Sequence, residues 1–133
     1  MKPVNLLSII EAKNDLSEEL FKEYLELFGI IFRKKEFEDI SNFINALKDA
    51  ETKVSILNYY YIGYKINQIS KEFDLLRFGN NYIVNIELKS KSTDEAIKQQ
   101  LIENKYYLNV VDKPIYSFTY NSEKNKLYCL DCY

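Results

Sequence analysis

The sequence predicts a mixed α/β (α+β) domain, with a central mixed sheet of about four strands flanked by helices. A helical segment, read as two N-terminal helices, precedes the sheet. Three observations predict this. Apolar residues recur at helical spacing through roughly the first fifty positions. From Phe73 the period shortens to two, the mark of strands. A helical stretch opened by Thr93 and Asp94 then separates that pair of strands from two more extended runs.

Each element has its own signal. Ser17 before Glu18 and Glu19 is a helix start, Leu20, Tyr24, Leu27 and Phe28 recur at helical spacing, and Gly29 can close the helix. A second helix fits Phe37 to Ala50, with Ile40, Phe43, Ile44 and Leu47 on one face. The aromatic stretch Tyr59 to Tyr64 reads equally as a helix end or a strand. Phe73 to Phe78 reads as a strand, Gly79-Asn80-Asn81 as a turn, and Tyr82 to Lys89 as the returning strand. The Thr93-capped helix is expected to run to about Val110. Pro114 restarts extended chain, and Ile115 to Tyr120 and Leu127 to Leu130 read as two strands joined by the polar turn Asn121 to Lys126. No repeat, low-complexity tract or Gly/Ser linker interrupts residues 1–133, so one domain is expected. Residues 1–54 form its helical part and 55–133 its core.

Composition narrows the chemistry. Apolar residues make up 47% and charged residues 29%, as in a soluble globular chain. No apolar run is long enough to span a bilayer, and the N-terminus lacks a signal-peptide pattern, so a cytoplasmic location is expected. Richness in Ile, Asn, Lys and Tyr with little Ala, Gly and Pro suits an AT-rich bacterial or phage genome. The chain has no histidine. Catalysis by a His base, His-held metals and Ser-His or Cys-His pairs are therefore excluded. Chemistry must run on carboxylates, Lys, Tyr, Ser/Thr, Cys or an oxygen-held metal. Cys129 and Cys132 form a C-x-x-C without the second ligand pair that zinc needs, and they read as reduced residues in or beside a strand. The net charge is −2. Residues 1–64 carry 8 basic and 11 acidic side chains, whereas residues 65–105 carry 7 and 6. Bound cations on two of those acids would leave the middle of the chain positive.

The strand Ile83 to Lys89 carries the chemistry. Side chains alternate along a strand, so Asn85, Glu87 and Lys89 share one face, and Val84, Ile86 and Leu88 the other. A polar row on a central strand is costly unless paired. The hairpin turn near Asn80 brings Asp74 back towards Glu87 and Lys89, so two carboxylates and a lysine converge. Like charges held close need a cation or a proton between them, and oxygen ligands suit Mg²⁺ or Mn²⁺. Lys89 can orient water or stabilise phosphate charge. The simpler reading is a solvated strand face, with Glu87 and Lys89 paired to Asp74 or Lys71. Strand parity, the hairpin and the element order favour convergence.

Asp74, twelve intervening residues, then Glu87-Leu88-Lys89, within KEFDLLRFGNNYIVNIELKSK, resembles the PD-(D/E)XK nuclease superfamily with its restriction-endonuclease-like fold. The resemblance covers roughly residues 55–130. It implies a nuclease that hydrolyses phosphodiester bonds of nucleic acid, DNA before RNA, with Mg²⁺ or Mn²⁺ as cofactor. By resemblance, Asp74 and Glu87 hold the metal with the Leu88 backbone carbonyl, and Lys89 is the catalytic lysine. The family often places a Gln on the following helix; Gln99 and Gln100 compete, and Gln100 lies with the inward residues Ile97, Leu101, Asn104 and Leu108. A Q-x-x-x-Y variant of that helix does not fit, since position 104 is Asn, and Phe73 stands where the family's Pro would be. Many members add an acid from the first helix; Glu36, Glu38 and Glu51 are the candidates, and the sequence does not choose among them.

Lys91, Lys98 and Lys105 lie beside the expected site or on its helix and are the phosphate-binding candidates. Tyr59 to Tyr61, Tyr106 and Tyr107 read as packing residues, and Arg33-Lys34-Lys35 as a solvated loop. So short a chain has little room for sequence reading, so a fused domain, a partner or a homodimer is expected to supply target choice. The nuclease part of a larger defence or mobile-element protein is the setting that analogy suggests. The alternative is a catalytically silent nucleic-acid- or protein-binding module on the same fold, which predicts no cleavage.

Overall fold

A computed structural model describes residues 2–32, 35–49, 54–109 and 113–130. Three helices come first: α1 (Leu6–Asp15), α2 (Glu18–Phe28) and α3 (Glu36–Asp49). Strands β1 (Tyr60–Ile66), β2 (Lys71–Phe78) and β3 (Ile83–Lys89) follow, then α4 (Asp94–Leu108), β4 (Ile115–Asn121) and β5 (Lys126–Cys129). Single 3₁₀ turns precede β1 and join it to β2.

The caps explain the helix boundaries. Ser17 accepts a hydrogen bond from the Leu20 amide at the start of α2, and Gly29 closes that helix in the left-handed region at φ 70°. Thr93 accepts from the Ala96 amide at the start of α4. α1 is a helix that the sequence reading, whose first helix starts at Ser17, does not assign. Asn5 opens it by accepting from the Leu7 and Ser8 amides, and Leu16 leaves it in extended backbone. Three helices, not two, therefore precede the sheet. The expected helix ends at Ala50 and Val110 lie outside the described residues.

The sheet has five strands, in the order β1-β2-β3-β4-β5, rather than about four. The aromatic run Tyr60 to Ile66 is the added one. β1, β2 and β3 form an antiparallel meander, β3 and β4 are parallel across the α4 crossover, and β5 returns antiparallel to β4. The N-terminal helices cover one face, where Leu6, Ile9, Ile40 and Ile44 pack with Ile62, Leu75 and Ile86. α4 covers part of the other, where Leu108 packs with Phe73, Leu76 and Ile83. Two-sided coverage keeps β3 central and leaves both its faces buried.

The alternation breaks once, in step, on β1 and β2. Ile62 and Leu75 face the N-terminal helices, whereas Tyr64 and Phe73, each two residues away, face α4. The Cα pairs Ile62↔Leu75 and Tyr64↔Phe73 flank Gly63 and Asp74. Gly63 sits at φ 66°, a conformation a glycine adopts without strain. A Cβ there would also meet a Glu72 carboxylate oxygen at 3.1 Å. The phase change frees Asp74 from the ordinary in-or-out alternation. Cys129, at the end of β5, is disulfide-bonded and so is not the reduced thiol the sequence suggested. Cys132 lies outside the described residues. Among the described residues, no helix is long and apolar enough to cross a membrane.

Candidate active site

β2 and β3 pair from Phe78↔Ile83 down to Leu75↔Ile86, where the ladder stops. At the next step Asp74 takes over. One of its carboxylate oxygens accepts a hydrogen bond from the Leu88 amide at 3.0 Å, where a backbone carbonyl would otherwise do so. The strands open there into a cleft of about 140 Å³ lined by Asp74, Leu88, Lys89, Glu72, Asp39 and Glu36, among others. Lys89 is half-buried at the end of β3. Its carbonyl accepts from the Ser122 amide at 2.8 Å, which fixes the strand end.

Glu87 lies on the other side of β3, beneath α4, and only 2% of it is exposed. The Asn104 side-chain amide donates to its Oε1 at 3.0 Å. Burial comes first among the causes that push its carboxyl up to about 9, followed by the charge of Asp74 and a side-chain hydrogen bond with Asp74. Lys71 and Lys89 pull the other way. At neutral pH and without a cation, the pair holds one proton between two carboxylates. The row under α4 continues through Asn85 and, on β4, Thr119, both fully buried. Asn85 stands opposite Ser117, and Glu87 opposite Thr119. The Asn85 amide atoms and the Thr119 hydroxyl have no hydrogen-bond partner among the described residues. A polar interior of this kind is unfavourable for packing alone.

Asp74, Leu88 and Lys89 line one cleft, and Glu87 does not line it but interacts with Asp74 from beneath α4. Gln100, half-buried on α4, is not among the residues that line the cleft. The α4 side chain that reaches Glu87 is Asn104, one turn later and fully buried. Spacing had placed position 104 on the inward face, and a polar residue among Ile97, Leu101 and Leu108 was the signal. Lys91 and Lys98 are exposed beyond β3 and on α4. Lys105 borders a separate depression with Tyr116, Ser117 and Phe118, which shares no residue with the Asp74 cleft. None of the three lysines lines the Asp74 cleft.

From the helical part, Asp39, which the sequence reading did not name, lines the cleft beside Glu36, one of the three candidates it did name. The Asp39 carboxyl is raised by burial, by Asp74 and by Glu38, against Lys35 and Lys89. Of the other two candidates, Glu38 is exposed and Glu51 lies outside the described residues. Asp39 adjoins Ile40 and lies four residues before Phe43, both in the core, so its place at the edge of the buried stripe was the available clue.

Asp74 and Glu87 are the carboxylates that could hold a hard divalent cation. Two carboxylates that cannot both ionise unaided, beside a backbone segment and open cleft, suit Mg²⁺, which retains several waters and needs few protein ligands. Among the described residues, no group of three or more His, Cys, Asp or Glu side chains is placed to hold a metal ion. A comparison with protein-family models, curated proteins and solved structures finds no match to this chain.

Proposed function

We propose that the chain is a metal-dependent nuclease of the PD-(D/E)XK type, hydrolysing phosphodiester bonds in nucleic acid, with DNA as the first substrate to test. One observation carries the reading: buried Glu87 is held against Asp74 at the opening of a hairpin, with Lys89 beside them. The element order supports it, since an antiparallel meander followed by a crossover helix and a parallel strand is the arrangement the resemblance implies.

Asp74 and Glu87 would hold Mg²⁺ or Mn²⁺, with the Leu88 carbonyl as a further oxygen. The cation, when bound, supplies charge stabilisation and an acidified water. The Leu88 amide fixes Asp74, and Asn104 fixes one oxygen of Glu87, which leaves its other oxygen to turn towards Asp74. Lys89 presents its ammonium at the cleft, where it donates to a phosphate oxygen and stabilises the charge that grows there. Asp39 adds negative charge on the α3 side.

Single- and double-stranded DNA and RNA, incubated with the protein with and without Mn²⁺ or Mg²⁺, test the proposal. Cleavage should require the metal, and Glu87→Ala should abolish it while nucleic-acid binding persists. Cleavage unchanged in Glu87→Ala would remove the site assignment.

A further inference from the structure

Tyr60 is buried in the core, but its neighbour Tyr61 belongs to a ring cluster of its own. Tyr61 meets Tyr64 with ring centres 5.5 Å apart and Phe78 at 5.9 Å, and Tyr64 meets Phe78 at 5.5 Å. All three contacts are edge-to-face, so the rings support one another as a closed group. Tyr64 packs against the buried group of Phe73 and Leu108, which places the cluster on the α4 side of the sheet. α4 itself packs chiefly against β4, away from the β1 edge. The rings are therefore only partly covered: Tyr61 and Tyr64 are half-buried, and Phe78 is 39% exposed.

Lys71 adds charge to the same face. Its ammonium lies 5.9 Å from the centre of the Phe73 ring and 5.7 Å from that of Tyr107, and Phe73 stands opposite Tyr64 in the β1–β2 ladder. The acids next to it, Glu72 and Asp74, line the cleft with Ile40 and Ile62, on the side of the N-terminal helices. β2 thus sends its acids to one face of the sheet and an ammonium among aromatic rings to the other. Rings beside an ammonium suit exposed nucleobases, which stack on them whatever their identity while their phosphates meet the positive charge. An apolar protein surface suits them less, because two tyrosine hydroxyls and an ammonium are costly to bury without partners.

We propose that Tyr61, Tyr64 and Phe78, with Lys71, form a stacking surface for single-stranded nucleic acid. β1 is the edge strand of the sheet, and Gly63, next to Tyr64, lines the Asp74 cleft without a side chain of its own. The ring surface and the cleft therefore border one another at the β1 edge. A duplex keeps its base faces stacked inside, so the surface selects strands whose bases are free. Naming that strand as the substrate rests on the nuclease reading; binding to the surface does not.

Fluorescence anisotropy with a labelled oligo-dT and with a duplex, both in EDTA so that no cleavage intervenes, tests the surface. The wild type should bind the single strand more tightly than the duplex. Tyr61→Leu and Tyr64→Leu should each weaken single-strand binding about fivefold or more and leave duplex binding unchanged. Tyr61→Phe, which keeps the ring, should retain the affinity. Lys71→Gln should lower the slope of log Kd against log salt by about 0.7. Tyr116→Leu, an exposed ring outside the cluster, is the control and should bind as the wild type does. Urea midpoints accompany every variant, and Phe78→Ala, at the most exposed ring, takes the place of a tyrosine variant that fails to fold. Equal single-strand affinity in the wild type and the folded ring variants overturns the proposal, as does a wild type that prefers duplex or binds no single strand. A dimer in sedimentation that the ring variants dissolve assigns the surface to a second copy of the chain and also overturns it. Metal-dependent cleavage that persists beside any of these results leaves the nuclease reading standing, whereas single-strand binding without metal-dependent cleavage leaves the surface and removes that reading.

Discussion

Replacing Glu87 by Gln is the most informative single perturbation. Gln keeps the shape of Glu87 and can still accept the 3.0 Å hydrogen bond from Asn104, but it cannot ionise. In the wild type, burial and Asp74 raise the carboxyl from its ordinary 4.5 to about 9. Between those values the unfolded chain has released a proton that the folded chain retains. Stability from this group is therefore fully present below pH 4.5 and falls as pH rises towards 9. The slope is at most about 1.4 kcal/mol per pH unit, so the cost at pH 7 is at most about 4 kcal/mol. Gln escapes it. Urea unfolding with a chelator present should give nearly equal stabilities for the two proteins at about pH 4, and a growing advantage for Glu87→Gln towards pH 8. Added Mn²⁺ should reverse the order at pH 8, because a cation replaces the shared proton in the wild type only. Parallel pH profiles for the two proteins would refute the claim that Glu87 is held protonated against Asp74.

Other perturbations test the supports. Asn104→Leu leaves a Glu87 oxygen buried and unpartnered and should cost about 1–3 kcal/mol in urea unfolding. Gly63→Ala forces a Cβ into a left-handed backbone and against Glu72, and should lower stability by about 1–2 kcal/mol. Asp39→Asn removes a negative charge from the cleft. It should weaken Mn²⁺ binding several-fold by calorimetry while the urea midpoint holds.

The parts of the fold legible in sequence are those encoded locally. Ser17, Gly29 and Thr93 mark helix ends through hydrogen bonds to neighbours a few residues away, so they can be read without the tertiary fold. The parity of Asn85 and Glu87 follows from strand geometry alone, and the Gly79 turn returns that strand towards Asp74, whereas Lys89, at the strand end, lines the cleft on the α3 side instead of sharing the Glu87 face. What escaped is set by tertiary contact. Tyr60 to Ile66 has no clean alternation because Gly63 and Asp74 shift the phase of two strands together, a pairing no single strand displays. α1 has no helix of its own in the sequence reading, which starts at Ser17, because its Asn5 cap is followed by Leu6, Leu7, Ile9 and Ile10, an apolar run without a clean helical stripe. Gln100 and Asn104 are one helical turn apart on α4, and only the packing of that helix on β3 chooses between them. That Asp39 lines the cleft beside Glu36 depends on how α3 packs over the sheet, which its own sequence does not display.

The central claim is that Asp74, Glu87 and Lys89 form a phosphodiester-cleaving centre. Cleavage of DNA in Mn²⁺ by the wild type and by Lys89→Ala, with urea stability and Mn²⁺ affinity measured on both, tests it most directly. The account predicts metal-dependent cleavage by the wild type and its loss in Lys89→Ala, with folding and metal binding retained. Equal cleavage by the two proteins, or none by a wild type that also binds no metal, would contradict it.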